Sequence, residues 1–353
     1  MLAAMFGWVV RRRRNHRSHV TERNPGPPGG YHFIGWSIER MPHWFNDTGM
    51  RVGTTLALWT MPRQRAASRE YLRLALGREP TRDEIWRHFY AFTEYLILRM
   101  KVCQGMDTEV AFAPGHGDEV RAWVGHGKPA LYGTMHVGRS DLVGFFLCNL
   151  GARVHMIRKQ LSNSEDTRRL ARRFERSVTF IWINDWSKMI LAMNDALREG
   201  RSLAMQCDRP EYSSKRADFE FFGARRVFPF TIYHLAIMHR MPVILSYAVP
   251  DPADGARTIV YMPAMFLPRE EASREENFAM AKAHYQAFLH EVEALLRKNP
   301  SLWFNFTPMN PPALEGGLPE RKTVARRAKP LPGVGSVPHL PASVRTGGKG
   351  VLT

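Results

Sequence analysis

The sequence has little cysteine and no long apolar run. Its three cysteines, Cys103, Cys148 and Cys207, stand far apart, and no two have the spacing of metal ligands. This pattern excludes a disulfide-dense scaffold and favours buried, reduced thiols. No stretch reaches 18 consecutive apolar residues, so no transmembrane helix is predicted. The 353 residues are 44% hydrophobic and 24% charged, which is typical of a globular protein.

Acidic residues are also few relative to basic ones. Asp and Glu number 33 against 50 Lys and Arg, so the formal net charge is +17. Residues 1–30 and 313–353 each carry +5 of this excess. The remaining core lacks the basic block of a nucleic-acid arm, and we expect no nucleic-acid partner. Composition predicts a basic leader and linker at residues 1–30, one folded domain at 31–312 and a disordered basic tail at 313–353.

The two basic segments outside the tail each allow two interpretations. Residues 1–10 are apolar and precede four arginines, which is the wrong order for a signal peptide. They either rest on an anionic membrane surface or form a frayed start. Arg158 and Lys159 precede an arginine-rich stretch that ends at Arg176. That stretch is either a solvated helix face or a docking surface for an acidic carrier protein or anionic headgroups.

The apolar periodicity predicts an α/β fold with a mostly parallel central sheet flanked by helices. Residues 62–105 predict an N-terminal helical layer, in which Thr81 and Glu84 form a capping box. Strands are predicted at residues 130–135, 153–157, 178–183, 202–207, 242–249, 258–263 and 302–306. Helices are predicted at residues 141–150, 162–176, 186–198, 229–239 and 274–298. In such sheets the chemistry usually lies beyond the carboxyl ends of the strands.

His136 ends the first predicted strand of this sheet, and Asp141 begins the next helix with Ser140 as a predicted N-cap. Residues five apart do not meet along a regular helix, but a strand-to-helix turn can bring them together. A carboxylate on one imidazole nitrogen fixes the tautomer and supports the imidazolium. His136 is therefore a candidate general base oriented by Asp141. The alternative is a structural histidine; a metal site is disfavoured because no further ligand has suitable spacing.

Polar and aromatic residues follow the predicted strand that ends at Cys207. Asp208 and Arg209 come first, and aromatic and basic residues alternate over residues 219–230. The stretch is either a hydrophobic groove with cationic heads, suited to an acyl chain on a phosphate-bearing carrier, or an ordinary loop. No base stands near Cys207 in the sequence, so we interpret it as a buried thiol and not a nucleophile.

Residues 134–141 resemble the His-x4-Asp block of the glycerolipid acyltransferase superfamily. Further residues resemble the lipid A late (lauroyl/myristoyl) acyltransferase branch, and its soluble members in particular. They are Cys207–Pro210, Phe221–Gly223, Phe228–Pro229, Pro242–Val243, Gly35–Ser37, His43–Trp44, Gly49, Gly53, residues 65–72 and Trp303–Phe306. The resemblance covers roughly residues 31–310.

The resemblance implies an O-acyltransferase that moves a fatty acyl chain from a thioester to a hydroxyl of a lipid or glycolipid acceptor. The donor would be acyl carrier protein or coenzyme A, with no metal and no other cofactor. His136 would deprotonate the acceptor and Asp141 would orient His136, without a covalent acyl-enzyme. Residues expected to bind the donor or acceptor are Arg158, Asp208, Arg209, Phe222 and Gly223.

The resemblance also implies a location. The protein would act in envelope lipid biosynthesis, peripherally on the cytoplasmic face of a bacterial inner membrane. Many lipid A acyltransferases open with a membrane-spanning helix, and none is predicted here. A non-catalytic module that binds a membrane surface or a carrier protein with the same fold remains the alternative.

Overall fold

The structure is a computed structural model that describes residues 30–106, 108–159, 172–184, 186–210 and 213–309. The predicted leader up to residue 29, the predicted tail and most of the predicted basic helix at 162–176 lie outside these ranges. Within them, no helix combines the length and the apolarity needed to cross a membrane.

A central sheet and a hairpin make up the described β-structure. The strands are β1 (Val110–Phe112), β2 (Leu131–Gly138), β3 (Val154–Arg158), β4 (Val178–Trp182), β5 (Ser202–Gln206), β6 (Arg216–Phe221), β7 (Ala224–Pro229), β8 (Val243–Pro250) and β9 (Thr258–Tyr261). Seven of these described strands form one sheet in the order β1-β9-β8-β2-β5-β3-β4, and β6 and β7 form a separate antiparallel pair. Every pairing in the sheet is parallel except β8 with β9, so the predicted mostly parallel α/β fold is confirmed.

Helices cover the sheet and form the layer that precedes it. They are α1 (Gly30–Arg40), α2 (His43–Thr60), α3 (Pro62–Leu76), α4 (Arg82–Cys103), α5 (Asp118–Gly125), α6 (Val143–Asn149), α7 (Trp186–Arg198), α8 (Thr231–His239) and α9 (Arg274–Lys298). The helix α4 packs against α1, α2 and α3, and the predicted capping box of Thr81 and Glu84 begins it. The helix α9 begins with a second capping box and buries Tyr285, Leu289 and Val292 in the main core.

Two predicted elements differ in the structure. The predicted strand at 302–306 is wrong: Pro300–Leu302 is a 3-10 turn, and the next residues form only an isolated bridge from Trp303 to Val137. The apolar pattern there reflects burial, because Phe304 and Phe306 pack on Phe92 of α4 and not in a sheet.

The helix predicted at 141–150 begins as a 3-10 turn, Ser140–Leu142, and continues as α6. Ser140 is not its N-cap. Its hydroxyl donates to the carbonyl of Val137 and accepts a hydrogen bond of 3.0 Å from the amide of Ala248. Ser140 therefore ties the end of β2 to β8 instead of capping the helix.

Candidate active site

The described structure places His136 on a buried carboxylate. The ring nitrogen Nδ1 of His136 lies 2.9 and 2.8 Å from the two oxygens of Asp208, and the backbone amide of His136 donates to Oδ2 of Asp208 at 3.1 Å. The Asp208 side chain is fully buried, whereas the His136 side chain is 18% exposed. Among the described residues, nothing hydrogen-bonds the other ring nitrogen, Nε2. One edge of the ring is thus fixed, and the described residues leave the edge carrying Nε2 accessible to a ligand.

The sheet brings these two residues together. The strands β2 and β5 are parallel neighbours that pair from Leu131 with Leu203 to Thr134 with Gln206. Beyond that pair, the amide of Cys207 still donates to the carbonyl of Thr134 at 2.7 Å, and the Tyr285 hydroxyl of α9 donates to the carbonyl of Cys207. These bonds fix the backbone of Cys207, the residue directly before Asp208.

The carboxyl group of Asp208 is ionised in this setting. Burial alone would raise its pKa, but the charge and hydrogen bonds of His136 and the charge of Arg209 act in the opposite direction. Their combined effect lowers the pKa of Asp208 below its ordinary value. An ionised carboxylate accepts hydrogen bonds only, so it favours a proton on Nδ1, and in that tautomer of the neutral ring Nε2 is an acceptor.

A cavity of about 340 Å³ lies where two strands of the sheet separate. Cys207 and Arg209, on either side of Asp208, line it, whereas His136 and Asp208 do not. The strands β3 and β5 pair only as far as Met156 and Ala204, and the residues beyond them line the two sides of the cavity. The apolar wall consists mainly of Val143, Leu147, Met156, Ile157, Ile183, Met189, Met193, Met205 and Ile232. Thr134, which lies two residues before His136 on β2, also lines it.

The polar end of the cavity is cationic. Arg158 ends β3, Lys159 follows it, and Arg209 follows Asp208. None of the described residues lining the cavity is acidic. The Arg209 Nε donates to Oδ1 of Asn305 at 2.9 Å. The guanidinium carbon of Arg158 lies 6.0 Å from the centre of the Phe180 ring. An apolar wall with a cationic end suits a ligand with an acyl chain and an anionic group.

The predicted site residues Phe222 and Gly223 lie elsewhere. They form the turn of the β6–β7 hairpin, which sequence reasoning took as a groove or loop, and both have positive φ, at 49° and 70°. Two residues of positive φ are the requirement of a tight hairpin turn. The Phe222 amide donates to Glu293 of α9 at 2.6 Å, and neither residue lines the cavity.

The other predictions have mixed outcomes. The Asp141 side chain lies outside the described part of the structure, so its predicted contact with His136 stays a prediction. Cys148 and Cys207 are buried free thiols, as predicted, and the Cys103 side chain is not among those described. Burial raises the pKa of Cys148 to about 12 and raises that of Cys207 further, which disfavours the thiolate that a nucleophile requires. Within the described ranges, no cluster of three His, Cys, Asp or Glu residues could hold a metal ion.

Sequence reasoning missed two features of this site. It assigned Asp208 to ligand binding, whereas the structure makes it the partner of His136. It also gave Asn305 no role, although Asn305 is buried and bonded to Arg209. The available signal was positional: Asp208, like His136, follows directly from a strand of a predicted parallel sheet.

Comparisons with known proteins give limited information. No family model matches the chain, and no curated protein matches it. Among solved structures, it is similar to the crystal structure of the 1-acyl-sn-glycerophosphate (LPA) acyltransferase PlsC from Thermotoga maritima. The identity is 12% and the TM-score 0.31, and the match covers 64% of this chain and 88% of that chain. A similarity this low establishes no family, so the function must be inferred from the site.

Proposed function

We propose that this protein is an acyltransferase that moves a fatty acyl group from a thioester donor to the hydroxyl of a lipid acceptor. One observation supports the proposal: a histidine held by a buried carboxylate lies two residues from Thr134, which lines an apolar cavity, and the described lining of that cavity has a cationic end and no acidic residue. The first part is the machinery of a general base, and the second fits an acyl chain joined to a phosphate-bearing carrier.

The reaction follows from the orientation of His136. Its Nε2 takes the proton of the acceptor hydroxyl as the oxygen attacks the thioester carbonyl carbon. The tetrahedral intermediate collapses, the carbon–sulfur bond breaks, and the leaving thiolate receives the proton from Nε2. Asp208 keeps the proton of the resting ring on Nδ1 and stabilises the imidazolium between these two steps.

The donor is an acyl carrier protein or coenzyme A, and both present a phosphate on the arm that carries the thioester. In this proposal the acyl chain occupies the cavity, and Arg158 and Arg209 bind phosphate at its end. Arginine suits that task because its planar fork donates two hydrogen bonds to one phosphate. If the enzyme has the specificity of the lipid A late acyltransferases, that specificity concerns the choice of acceptor, which would bind at the exposed side of His136.

The acceptor lies in a membrane, and we propose that α2 rests on the membrane surface. The residues Trp44, Thr48, Val52, Thr55 and Trp59 recur along one face of this helix and include no charge. Trp44 is 68% and Trp59 79% exposed. Tryptophan is enriched at the level of lipid headgroups because its ring is apolar with one polar N–H. The protein would thus act peripherally, at the inner face of the inner membrane.

The decisive experiment measures free-thiol release from acyl-carrier-protein and acyl-coenzyme A thioesters, with total membrane lipid as acceptor. His136→Ala is compared with His126→Ala, which removes an exposed histidine at the end of α5. The proposal expects acceptor-dependent release that is lost only in His136→Ala, with mass spectrometry identifying the acylated lipid. Release without acceptor would indicate a thioesterase. Binding of thioester without turnover, equal in both variants, would favour the non-catalytic module.

A further inference from the structure

Asn305 is a buried polar residue that is hydrogen-bonded to Arg209, a residue that lines the cavity. It is only 4% exposed and stands in the segment Trp303–Thr307, which follows α9 and the 3-10 turn. Its side-chain oxygen accepts two hydrogen bonds, from Nε of Arg209 at 2.9 Å and from the hydroxyl of Thr307 at 3.0 Å. Two donors on one oxygen define which way the amide points, and the Thr307 bond is local to the segment.

This contact determines the direction of the Arg209 guanidinium. Because Nε is bonded to Asn305, one edge of the guanidinium is engaged there, and Arg209 also lines the cavity. A guanidinium offers five donors in a fixed plane, so fixing one edge fixes the direction of the others. Without Asn305, the flexible side chain of Arg209 would sample many rotamers at the cavity end.

The same segment also holds the strand of His136. The amide of Phe304 donates to the carbonyl of His136 at 2.7 Å, directly before Asn305. The segment is itself anchored, since Trp303 is 1% exposed, stacks on Tyr71 and accepts a hydrogen bond from the His88 ring at its carbonyl. Phe304 and Asn305, two consecutive residues of one anchored segment, therefore contact His136 and Arg209 and hold the two at a set distance from each other.

We infer that Asn305 is a positioning residue that aims Arg209 at the phosphate of the donor's pantetheine arm. The identity of this anion rests on the proposed function, whereas the aiming of Arg209 rests on the contacts alone. A resident phosphate is favoured over a transient oxyanion because Arg158 and Lys159 share the cavity with Arg209. Three cationic residues suit a group that carries a full charge throughout binding.

The first test measures equilibrium binding of coenzyme A to the full chain by calorimetry, with pantetheine, which lacks the phosphates, as the matched probe. Arg209→Ala and Asn305→Ala should each weaken coenzyme A binding about tenfold, the effect of one hydrogen bond to a charged group. If Asn305 acts through Arg209, the double variant should bind no more weakly than Arg209→Ala. Pantetheine binding should be the same in all four proteins.

Asn277→Ala is the matched control. Asn277 is also a 4% exposed asparagine, but its amide bonds only the backbone of residues 269–273 before and at the start of α9. It should lower the thermal unfolding temperature without changing coenzyme A affinity. Additive losses in the double variant, unchanged affinity in Asn305→Ala, or no coenzyme A binding by the wild type would each overturn the inference.

The second test separates binding from chemistry. With acyl-coenzyme A as donor, Asn305→Ala should raise KM about tenfold and leave kcat within a few-fold of wild type. With the acyl thioester of N-acetylcysteamine, which has no phosphate, KM should not change. An equal fall of kcat on both donors would mean that Arg209 acts at the reacting carbonyl, against the inference. If the wild type and the three variants bind coenzyme A with the expected pattern but turn over no donor, the proposed function fails and the inference that Asn305 aims Arg209 stands.

Discussion

The substitution Asp208→Asn tests which of two carboxylates, Asp208 or Asp141, is the functional partner of His136. In the wild type, both oxygens of Asp208 face hydrogen-bond donors, namely Nδ1 and the backbone amide of His136. An asparagine has one oxygen and one NH2 group for these two donors. If the oxygen bonds the backbone amide, the NH2 group faces the ring, where it favours the tautomer with the proton on Nε2. That tautomer cannot take a proton from the acceptor.

The charge of Asp208 sets the size of the effect. At an effective dielectric constant of about 20, a unit charge at the 2.8 Å separation seen here stabilises the imidazolium by about 6 kcal/mol. The remaining asparagine oxygen recovers part of this when it faces the ring. We therefore expect kcat to fall about 10³-fold, equivalent to about 4 kcal/mol, within the range typical of lost general-base support. The donor KM should change little, because Asp208 does not reach the cavity surface.

The assay is acceptor-dependent thiol release, with thermal unfolding measured on the same preparations. Asp251→Asn is the matched control, since Asp251 is 7% exposed and ion-paired with Arg257 at the end of β8. Its variant should retain wild-type turnover. Asp141→Asn measures the role that sequence spacing assigns to Asp141. If Asp141→Asn abolished turnover while a folded Asp208→Asn kept it, the reasoning from the observed contacts would be refuted.

Three further outcomes are expected. Burial, partly offset by a hydrogen bond to Trp303, lowers the pKa of His88 to about 4. Because an unfolded imidazole has a pKa of about 6.5, the unfolded state binds a proton first as the pH falls, and His88 should remove about 2 kcal/mol of stability between pH 7 and pH 5. In urea unfolding, His88→Gln should lose about 2 kcal/mol less unfolding free energy than the wild type between pH 7 and pH 5. The same pH dependence in both proteins would contradict this role of His88. Gly144→Ala places a methyl group 2.2 Å from the Met156 side-chain end, which must move, so the profile of accepted acyl chains should shift to shorter ones; an unchanged profile would remove Met156 from the acyl site. Trp59→Ser should lower cosedimentation with anionic vesicles while turnover of a soluble acceptor is kept, and equal sedimentation would exclude this face of α2.

The elements that the sequence predicted well are those whose signal is local. Helix α9 begins at a capping box, Ser273 with Glu276, and its predicted bounds agree with the structure at both ends. The capping box of α4 behaves in the same way. In contrast, Trp303 and the residues after it have the apolar character of a strand because they are buried among aromatic rings of α3 and α4. Periodicity reports burial, and only tertiary contacts distinguish a buried strand from a buried irregular segment.

The carboxylate that pairs with His136 could not be predicted from the sequence for the same reason. In every described pair of β2 and β5 the two residues differ by 72 in number, from Leu131 with Leu203 to Thr134 with Gln206. Continuing that register by two residues places His136 opposite Asp208, which is the contact observed. A slip of one residue would bring Cys207 or Arg209 opposite His136, and would turn the carboxylate to the other face of the sheet. The spacing of His136 and Asp141 is visible along the chain, but strand order and register are not. The carboxylate on His136 is therefore a property of the assembled sheet, and a one-residue insertion in either strand should separate the pair although both residues are still present.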